Sequence, residues 1–459
     1  MQTPFLDTFL AQNSLKLCSD DKKIRRLVSE RNFQPGDLVI FSPPLATFPL
    51  PEYRSEICDF CFKESEDLLR CSGCSEVHYC STTCQTKAWK KYHKWSCKLW
   101  EIQKDNDSLM LRRAVFAIHS KPSVLKYQYD QEYVFDERIN QEAFESLSHH
   151  SISWDQQTKR QFLTISSQTL KALISTSFPI PPNLTVTSLG EYLGRFQCNN
   201  FTSHDLQLFP VGEGTYPIGS LFNHSCIPNC IVMYDKGVQI VRSISPIKAG
   251  EELCIAYVDS FVPRTRRRTQ LQEKYYFECE CELCSDPILS KLDYEHDNAI
   301  DENDLPLLKP GSEISNKSKS IVSSFYTQKP ENHEDIQRSI ISSLEDSFFT
   351  LSCFKHVTPF HREALSSADW VTAGETGWYI LSMYLLRYPR NHPLTGLHAF
   401  TLAKCLWNCP DGDISECVRL LKLAHSILTA THGCDSQVIK EIIVMSDMLR
   451  RETHTSTDA

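Results

Sequence analysis

The chain has 459 residues, 41% of them hydrophobic and 23% charged, which is an ordinary composition for a globular protein with room for several domains. Its formal net charge of −9 argues against a general nucleic-acid binder, although it leaves room for local basic patches. No apolar run reaches the roughly 18 residues of a membrane span. Met1–Leu17 also lacks the basic-then-apolar pattern of a secretory signal, so we expect the protein in the nucleus, the cytoplasm or both.

The N-terminal half is expected to combine short strands with helices. A turn at Phe33–Asp37 precedes an apolar run at Leu38–Phe41 that is typical of a strand. Residues 98–195 are expected to be mostly helical, because apolar residues recur at helical spacing around Leu109–Ile118 and Phe162–Ile174.

The C-terminal half changes from strands to helices. Val238–Val241 and Glu252–Tyr257 have the composition of strands, whereas the polar stretch Ser312–Ser320 is expected in a loop. Beyond residue 336 the pattern is helical, with a predicted core that includes Trp378, Leu381, Leu386 and Leu420.

Residues 58–97 contain seven cysteines and one histidine at metal-ligand spacing. These are the pairs Cys58/Cys61, Cys71/Cys74, Cys80/Cys84 and His93/Cys97. Ligands a few residues apart can reach one Zn²⁺, and eight ligands make two closed, structural sites. A segment this short has too little core to fold alone, so metal binding is expected to supply its folding free energy. Burial or disulfide bonding is the alternative, disfavoured because four such pairs follow in series and thiols stay reduced inside the cell.

With Tyr79 before the third pair and Trp89 after it, this segment resembles a MYND zinc finger. The resemblance implies interleaved ligands, with Cys58, Cys61, Cys80 and Cys84 on one zinc and Cys71, Cys74, His93 and Cys97 on the other. It also implies a peptide partner, because MYND fingers usually bind peptides. Five lysines crowd the end of the segment: Lys87, Lys90, Lys91, Lys94 and Lys98. They are either a solvated face or a contact for an acidic partner or a nucleic acid.

A second signature, Asn223-His224-Ser225-Cys226, lies between two apolar runs and is followed by Pro228, Asn229 and Cys230. It resembles the signature of SET-domain lysine methyltransferases, and other pieces of that domain appear in the family's order. These pieces are Cys198–Thr202, Gly212–Pro217, Gly250–Leu253, Tyr257–Asp259 and Tyr275–Cys284. SET pieces split by a MYND finger and followed by a helical tail resemble the SET-and-MYND-domain (SMYD) methyltransferases over nearly the whole chain.

The resemblance implies an α+β multidomain protein and an S-adenosylmethionine (AdoMet)-dependent protein-lysine N-methyltransferase. It predicts six segments: 1–57, the N-terminal part of a β-rich SET fold; 58–97, the MYND finger; 98–195, a helical insertion; 196–260, the SET core; 261–288, the post-SET segment; and 289–459, an all-α, tetratricopeptide-like domain. The implied partner is a protein substrate with a target lysine, on a histone or another protein.

A third zinc is expected at the post-SET cysteines. Cys279, Cys281 and Cys284 supply three thiolates, one fewer than a tetrahedron needs. The resemblance makes Cys226 the fourth ligand, and Cys230 is the competing candidate. A zinc there would fasten the post-SET segment over the active site, giving three zinc ions in all. The basic run Arg264–Arg268 just before it is either a solvated helix face or a contact for substrate or nucleic acid.

Asparagine side chains both donate and accept hydrogen bonds, so they suit the zwitterionic amino-acid end of AdoMet. The resemblance implies that Asn199, Asn223 and His224 contact AdoMet and that Phe277 packs on its adenine. Tyr257, at the end of a strand-like run, is the expected active-site tyrosine. Methyl transfer by in-line displacement needs a neutral lysine amine, alignment and exclusion of water. An aromatic channel favours the neutral amine, and a tyrosine hydroxyl can orient it.

One stretch departs from the family's pattern. The family's glycine-rich turn corresponds to Lys23–Leu27, which contains no glycine. Glycine allows close backbone approach to a cofactor. Therefore either this stretch takes a different path, with Lys23 or Arg25 pairing the AdoMet carboxylate, or cofactor affinity is reduced. The second case favours a different function, a zinc-dependent scaffold that binds proteins through the MYND finger and the helical tail.

Overall fold

A computed structural model describes residues 3–19, 25–101, 105–293, 308–327, 333–344, 348–410 and 412–455. The chain forms two compact units. The first unit is Met1–Arg31, Val39–Asn223 and Val232–Val241, and the second unit is Asn32–Leu38, His224–Ile231 and Arg242–Ala459. None of the described helices is both long and apolar enough to cross a lipid bilayer.

The first unit contains most of the strands, all or the larger part of each. They are β1 (Leu15–Cys18), β2 (Arg26–Ser29), β3 (Leu38–Ser42), β4 (Ala46–Pro49), β5 (Leu69–Arg70), β6 (His78–Tyr79), β7 (Val124–Gln128), β8 (Glu132–Asp136), β9 (Asn200–His204), β10 (Pro210–Thr215), β12 (Cys230–Asp235) and β13 (Val238–Ser243). Two three-stranded sheets have the strand orders β4-β10-β9 and β12-β13-β3. Strand β10 is central in its sheet, with Glu213 opposite both Phe48 and Thr202. Strand β11 (Asn223–His224) marks the point where the chain passes from the first unit into the second.

Most helices of the first unit begin at side-chain caps, as their sequences favour. They are α1 (Pro4–Gln12), α2 (Thr82–Ala88), α3 (Lys94–Ser96), α4 (Asn106–His119), α5 (Glu137–Ser146), α6 (Gln156–Ile174) and α7 (Val186–Asn199). Asp105 caps α4 and Asp155 caps α6 by accepting backbone N–H groups of the first turn. Thr185 and Ser188 form a reciprocal capping box at the start of α7. Helix α7 ends at Asn199 and leads directly into β9.

Residues 98–195 are mostly helical, as expected, apart from one hairpin that the sequence did not predict. The antiparallel hairpin β7–β8 lies between α4 and α5, with Tyr127 opposite Tyr133. Both tyrosine rings pack on Phe41, at centroid distances of 5.5 and 4.4 Å. Alternate residues therefore share one face of the hairpin, and this period of two was hidden between strongly helical neighbours.

The cysteine-rich segment contains β5, β6, α2 and α3, and a buried ion pair joins it to α4. Arg113 lies 2.6 Å from Asp59, and both side chains are more than nine-tenths buried. The Tyr92 hydroxyl also donates to Asp59, at 3.0 Å, and the Arg113 guanidinium lies over the Tyr92 ring. A buried charge is tolerated only when paired and hydrogen-bonded, so these contacts define how the segment packs on α4.

The second unit is predominantly helical. Its elements are β14 (Cys254–Ile255), α8 (Arg264–Tyr275), α9 (Glu282–Ser285), α10 (Glu313–Thr327), α11 (His333–Ser343), α12 (Leu351–Ser366), α13 (Trp370–Arg387), α14 (Pro393–Asn408), α15 (Ile414–His432) and α16 (Gln437–Thr455). The residues predicted for its core, Trp378, Leu381, Leu386 and Leu420, are all buried.

Two sequence predictions for the second unit need correction. The strand expected over Glu252–Tyr257 is limited to Cys254–Ile255. The loop expected over Ser312–Ser320 is instead the first half of α10. Ser315 and Ser318 are fully buried, and the Ser315 hydroxyl donates to Glu375 of α13. Tertiary packing against α13 thus outweighs the low helix preference of serine.

Candidate functional site

Three groups of four ligand residues lie together in the described structure. They are Cys58/Cys61/Cys80/Cys84, Cys71/Cys74/His93/Cys97 and Cys226/Cys279/Cys281/Cys284, and within each group all ligand atoms lie within 4.8 Å of one another. These are the three sets expected from the sequence.

The spacing of the ligand atoms fits zinc. Sγ–Sγ distances are 3.5 Å for Cys61–Cys80, 3.9 Å for Cys71–Cys97 and 3.7 Å for Cys226–Cys284. A tetrahedron with Zn–S bonds of about 2.3 Å has edges of about 3.8 Å, whereas a disulfide would place the sulfurs about 2 Å apart. Each group supplies four ligands, so each fits one closed, structural zinc.

In the first unit, local structure presents the ligands in pairs. The Ser81 hydroxyl caps α2 by accepting the Cys84 N–H, so Cys84 lies in the first turn of the helix and Cys80 directly before its cap. Their sulfurs are 3.5 Å apart. Burial lowers the pKa of His93 to about 4, so its ring is neutral and can ligate a metal. A hydrogen bond from the Cys61 thiol lowers the pKa of Cys58 to about 5, which favours the thiolate.

The third group is buried in the second unit. Cys226, Cys279 and Cys284 are at most 2% exposed, and hydrogen bonds from Cys226 and Cys279 lower the pKa of Cys281 to about 6. Cys230, the competing candidate for the fourth ligand, is outside this group. Burial and the nearby Cys254 raise the pKa of the Cys230 thiol well above its usual value, so it remains protonated.

The basic run Arg264–Arg268 supports this third group. For Arg267 this corrects both sequence interpretations, a solvated helix face and a contact for substrate or nucleic acid. Arg267 is fully buried, and its guanidinium lies 3.6 Å from the Cys284 sulfur. Arg268 donates to the Cys279 and Cys284 carbonyls. Because a zinc with four thiolates carries a net charge of −2, a buried guanidinium beside it is electrostatically favourable.

His224 links the third group to Tyr257. The Tyr257 backbone N–H donates to Nδ1 of His224 at 2.9 Å, so the proton of the neutral ring lies on Nε2. Nε2 lies 3.2 Å from the Cys226 sulfur and donates to it. Both ring nitrogens are thus engaged, and a contact of His224 with AdoMet would use its ring carbons or its backbone.

Tyr257 belongs to an aromatic cluster in the second unit. Its ring centroid lies 4.7 Å from that of Tyr275, 5.3 Å from that of His224 and 6.5 Å from that of Phe277. Tyr276 ends α8 in a left-handed conformation with φ of 62°, and this reversal directs Phe277 back towards His224. The sequence assigned Tyr257 and Phe277 to one site, as the active-site tyrosine and the adenine contact, and their rings belong to one cluster in the structure.

In the first unit, Asn199 and Asn223 lie at a second polar cluster. The Asn223 amide donates to the Arg25 carbonyl at 2.7 Å, and the Arg25 guanidinium donates to the Ser220 carbonyl at 3.0 Å. The Ser220 hydroxyl contacts the Asn199 carbonyl at 3.3 Å. Lys23, the other predicted cofactor residue of this turn, lies outside the described residues.

Sequence reasoning missed several residues of these clusters. Ser220 carries no chemical signal beyond its place in the signature. Arg25 was named only as an alternative to Lys23, although it is the first described residue of the glycine-free stretch. Asp259 was noted only as part of a SET-like motif, and Arg387 of helix α13 lies far from any motif, so its contacts with the Tyr257 segment could not be predicted.

Comparison with known proteins identifies a MYND finger and relatives that are similar to this chain over most of its length. The profile of the MYND finger family matches residues 58–97. The chain is 28% identical over 422 residues to the histone-lysine N-methyltransferase SMYD3 of Homo sapiens, covering 90% of this chain and 92% of SMYD3. It is 27% identical over 440 residues to the N-lysine methyltransferase SMYD2 of Bos taurus, covering 93% and 96% of the two chains. The solved structure of Rubisco LSMT bound to AdoMet matches this chain over 96% of its length and 88% of its own, at 13% identity and with a TM-score of 0.33.

Proposed function

Because the chain is SMYD-like, with a MYND finger and a SET-type signature in one sequence, we propose that it is an AdoMet-dependent protein-lysine N-methyltransferase. The names of its relatives include both histone-lysine and N-lysine methyltransferases, so histone and non-histone lysines are both candidate substrates. The observation that carries the proposal is the tyrosine cluster of the second unit. There Tyr257 is tied through His224 to a zinc ligand and lies beside Tyr275 and Phe277.

AdoMet, when bound, supplies the electrophile, a sulfonium methyl group transferred by in-line displacement. The donor set suits it: Asn199, Asn223 and Arg25 offer amide and guanidinium groups for a zwitterion. Phe277 offers an aromatic face for the adenine, as the resemblance implies. In the stretch that lacks the family's glycines, Arg25 is the candidate partner for the AdoMet carboxylate. Its guanidinium and its backbone carbonyl both lie beside the segment that contains Ser220 and Asn223.

Tyr257 and its aromatic neighbours prepare the lysine. The rings of Tyr275 and Phe277 reduce the polarity around the incoming amine and exclude water, which favours the neutral, nucleophilic form. The Tyr257 hydroxyl accepts or donates a hydrogen bond that orients this amine. The third zinc has four protein ligands and no open position, so its role is structural.

The MYND finger is the candidate site for a second protein interaction, separate from the proposed methyltransferase site. We propose that the MYND finger binds a peptide, with the protein acting in the nucleus, the cytoplasm or both. Trp89 is 46% exposed on the finger and lies among the exposed lysines Lys87, Lys90 and Lys94. An exposed aromatic ring within a basic face suits an acidic peptide better than a purely solvated surface.

A scaffold function is the second candidate, because Lys23–Leu27 lacks the family's glycines. Titration of the purified protein with AdoMet in a calorimeter separates the two functions. The methyltransferase proposal predicts measurable heat and a thermal shift. Their absence at millimolar AdoMet would leave the scaffold function as the better explanation.

Replacement of the active-site tyrosine tests the chemical role. Tyr257→Phe keeps the ring packing and removes the orienting hydroxyl, so kcat for transfer of labelled methyl groups to lysate proteins should fall roughly 100-fold. AdoMet affinity should change little, because the hydroxyl is assigned to the lysine.

Tyr133→Phe is the matched control, since Tyr133 lies on the β7–β8 hairpin and its hydroxyl donates to Asp130. Equal kcat values for Tyr257→Phe and Tyr133→Phe would contradict the role assigned to Tyr257.

A further inference from the structure

The end of helix α13 reaches the chain segment that follows Tyr257. The Tyr388 hydroxyl donates to Asp259 Oδ1 at 2.9 Å, and Arg387 Nε donates to the Ser260 carbonyl at 2.6 Å. Two consecutive residues at one helix end therefore hold two consecutive residues of this segment. All of these residues belong to the second unit.

The same segment is fastened from the side of the third zinc group. The Ser260 hydroxyl donates to the Cys226 carbonyl at 2.6 Å, and Arg267 donates to the Ser260 carbonyl at 3.2 Å. Tyr257 itself is held by His224 through its backbone N–H. The tyrosine is thus anchored at its own amide and again two and three residues later.

The charges at this junction are buried and mutually compensated. Arg387 and Arg267 are at most 2% exposed, and both guanidinium groups contact Asp293 Oδ1, at 2.7 and 3.3 Å. Buried ion pairs often stabilise a fold no better than apolar residues of similar volume, whereas they do impose one geometry on their surroundings. A geometric role explains why two guanidinium groups converge on one carbonyl, that of Ser260.

The hydroxyl of Tyr388 can be separated from the packing of its ring. The ring stacks on His392, with centroids 3.7 Å apart, and packs on Phe261, with centroids 4.8 Å apart. Removal of the oxygen alone leaves these contacts in place and deletes only the hydrogen bond to Asp259.

We infer that Arg387 and Tyr388 are positioning residues of the proposed methyltransferase: they hold the Asp259–Ser260 segment so that the Tyr257 hydroxyl has the orientation that methyl transfer needs. This inference rests on the proposed function. It assigns a role in catalysis to the C-terminal helices, although Arg387 and Tyr388 belong to none of the sequence motifs.

The test compares the deletion of two tyrosine hydroxyls, one within helix α13 and one directly after its end. Tyr388→Phe removes the bond to Asp259. Tyr379→Phe is the matched control, because the Tyr379 hydroxyl donates to the Phe348 carbonyl instead, at 2.6 Å. We expect Tyr388→Phe to lower kcat about three- to tenfold while AdoMet affinity and zinc content stay at wild-type values. Tyr379→Phe should retain wild-type kcat.

Hydrogen–deuterium exchange of the peptide spanning residues 256–261, measured without AdoMet, provides a readout independent of activity. Exchange in this peptide should rise in Tyr388→Phe and stay at the wild-type level in Tyr379→Phe. If the wild-type protein transfers no methyl group yet this exchange difference is observed, the proposed function fails while the positioning contact is retained.

Arg387→Lys provides a second variant, since a lysine keeps the positive charge near Asp293 but lacks the Nε–H that Ser260 accepts. It should change kcat and exchange in the same direction as Tyr388→Phe. Unchanged exchange at 256–261 in both Tyr388→Phe and Arg387→Lys, or equal kcat in Tyr388→Phe and Tyr379→Phe, would overturn the inference.

Discussion

At the scale of single residues, His224 shows how one side chain serves two neighbours. Its Nδ1 accepts the Tyr257 N–H and its Nε2 donates to the Cys226 sulfur. Hydrogen bonds to a metal-bound thiolate orient the ligand and tune its affinity. The histidine of the signature therefore connects the structural zinc to the proposed catalytic tyrosine, a role its position in the sequence does not reveal.

His224→Phe tests this connection. The phenyl ring retains the contacts with Tyr257 and Phe277 but can neither accept nor donate a hydrogen bond. The Tyr257 N–H loses its acceptor, so we expect a loss of about 1–3 kcal/mol in the free energy of unfolding. Zinc release to a chromogenic chelator should become faster, and kcat should fall. Zinc release at the wild-type rate would contradict the link to Cys226, and His425→Phe on the exposed face of α15 is the control.

At the scale of elements, a glycine lets the backbone of one helix pack directly against a neighbouring segment. A Cβ at Gly194 of α7 would meet the His149 carbonyl oxygen at 2.4 Å and the Trp154 ring at 2.3 Å. A Cβ at Gly374 of α13 would meet only the Leu406 side chain, at 3.4 Å. The first glycine is required by packing, whereas the second weakens its helix and has room for a methyl group in ordinary van der Waals contact.

The two glycines predict opposite effects of the same substitution. Gly194→Ala should destabilise the protein by about 1–3 kcal/mol, because backbone must move to relieve the overlap. Gly374→Ala should be neutral or stabilise by up to about 1 kcal/mol, because alanine is the better helix former. Urea unfolding of both variants measures the difference, and a Gly194→Ala protein as stable as Gly374→Ala would refute the packing of α7 on the His149–Trp154 segment.

Three histidines in the C-terminal helical region have pKa values of about 4 or below and are therefore neutral at pH 7. Burial lowers the pKa of His333 to about 4 and the pKa values of His392 and His398 to about 3. The unfolded chain has a histidine pKa of about 6.5 and binds protons first as the pH falls. Stability should therefore be lost progressively below pH 6.5, by about 2 kcal/mol per histidine at pH 5.

Urea unfolding at pH 7 and at pH 5 measures this loss. His398→Gln should reduce the difference between the two pH values by about 2 kcal/mol, since its amide can still donate to the Gly377 carbonyl that His398 contacts. His425→Gln, on the exposed face of α15, is the control. A His398→Gln protein with the full wild-type pH dependence would contradict neutral burial.

At the scale of the whole molecule, the three groups of zinc-ligand residues are divided between the two units. Two ligand groups lie in the first unit and one in the second. Only the third group contacts His224 and, through it, the Tyr257 backbone. Loss of metal from different groups should therefore affect the proposed activity differently.

Elemental analysis should find about three zinc ions per chain, one for each set of four ligands. Cys71→Ser and Cys279→Ser should each lose about one zinc. Cys279→Ser should also weaken AdoMet binding more than tenfold in calorimetry, because the segment that carries Phe277 loses its anchor, whereas Cys71→Ser should retain AdoMet binding. Two variants with the same AdoMet affinity would argue against a specific role for the third zinc.

The sequence by itself determined what depends on local spacing and on residue type. Ligand pairs two to four residues apart can reach one metal in any compatible fold, so the cysteines of 58–97 and 279–284 were identifiable without coordinates. The signature at Asn223–Cys226 named the fourth ligand only through family resemblance. Helical periodicity located α4 and α6 because apolar side chains repeat along one face.

Only the tertiary structure decided features that depend on residues far apart in the chain. It buried Arg267 beside the Cys284 thiol, turned the serine-rich stretch after Ser312 into the helix α10 and joined Tyr388 to Asp259 across 129 positions. The partner of a charged or polar residue cannot be read from the sequence, because the free energy of burying that residue depends on the groups that surround it in the folded protein. The support of Tyr257 by α13 is of this kind: it exists only once the chain is folded.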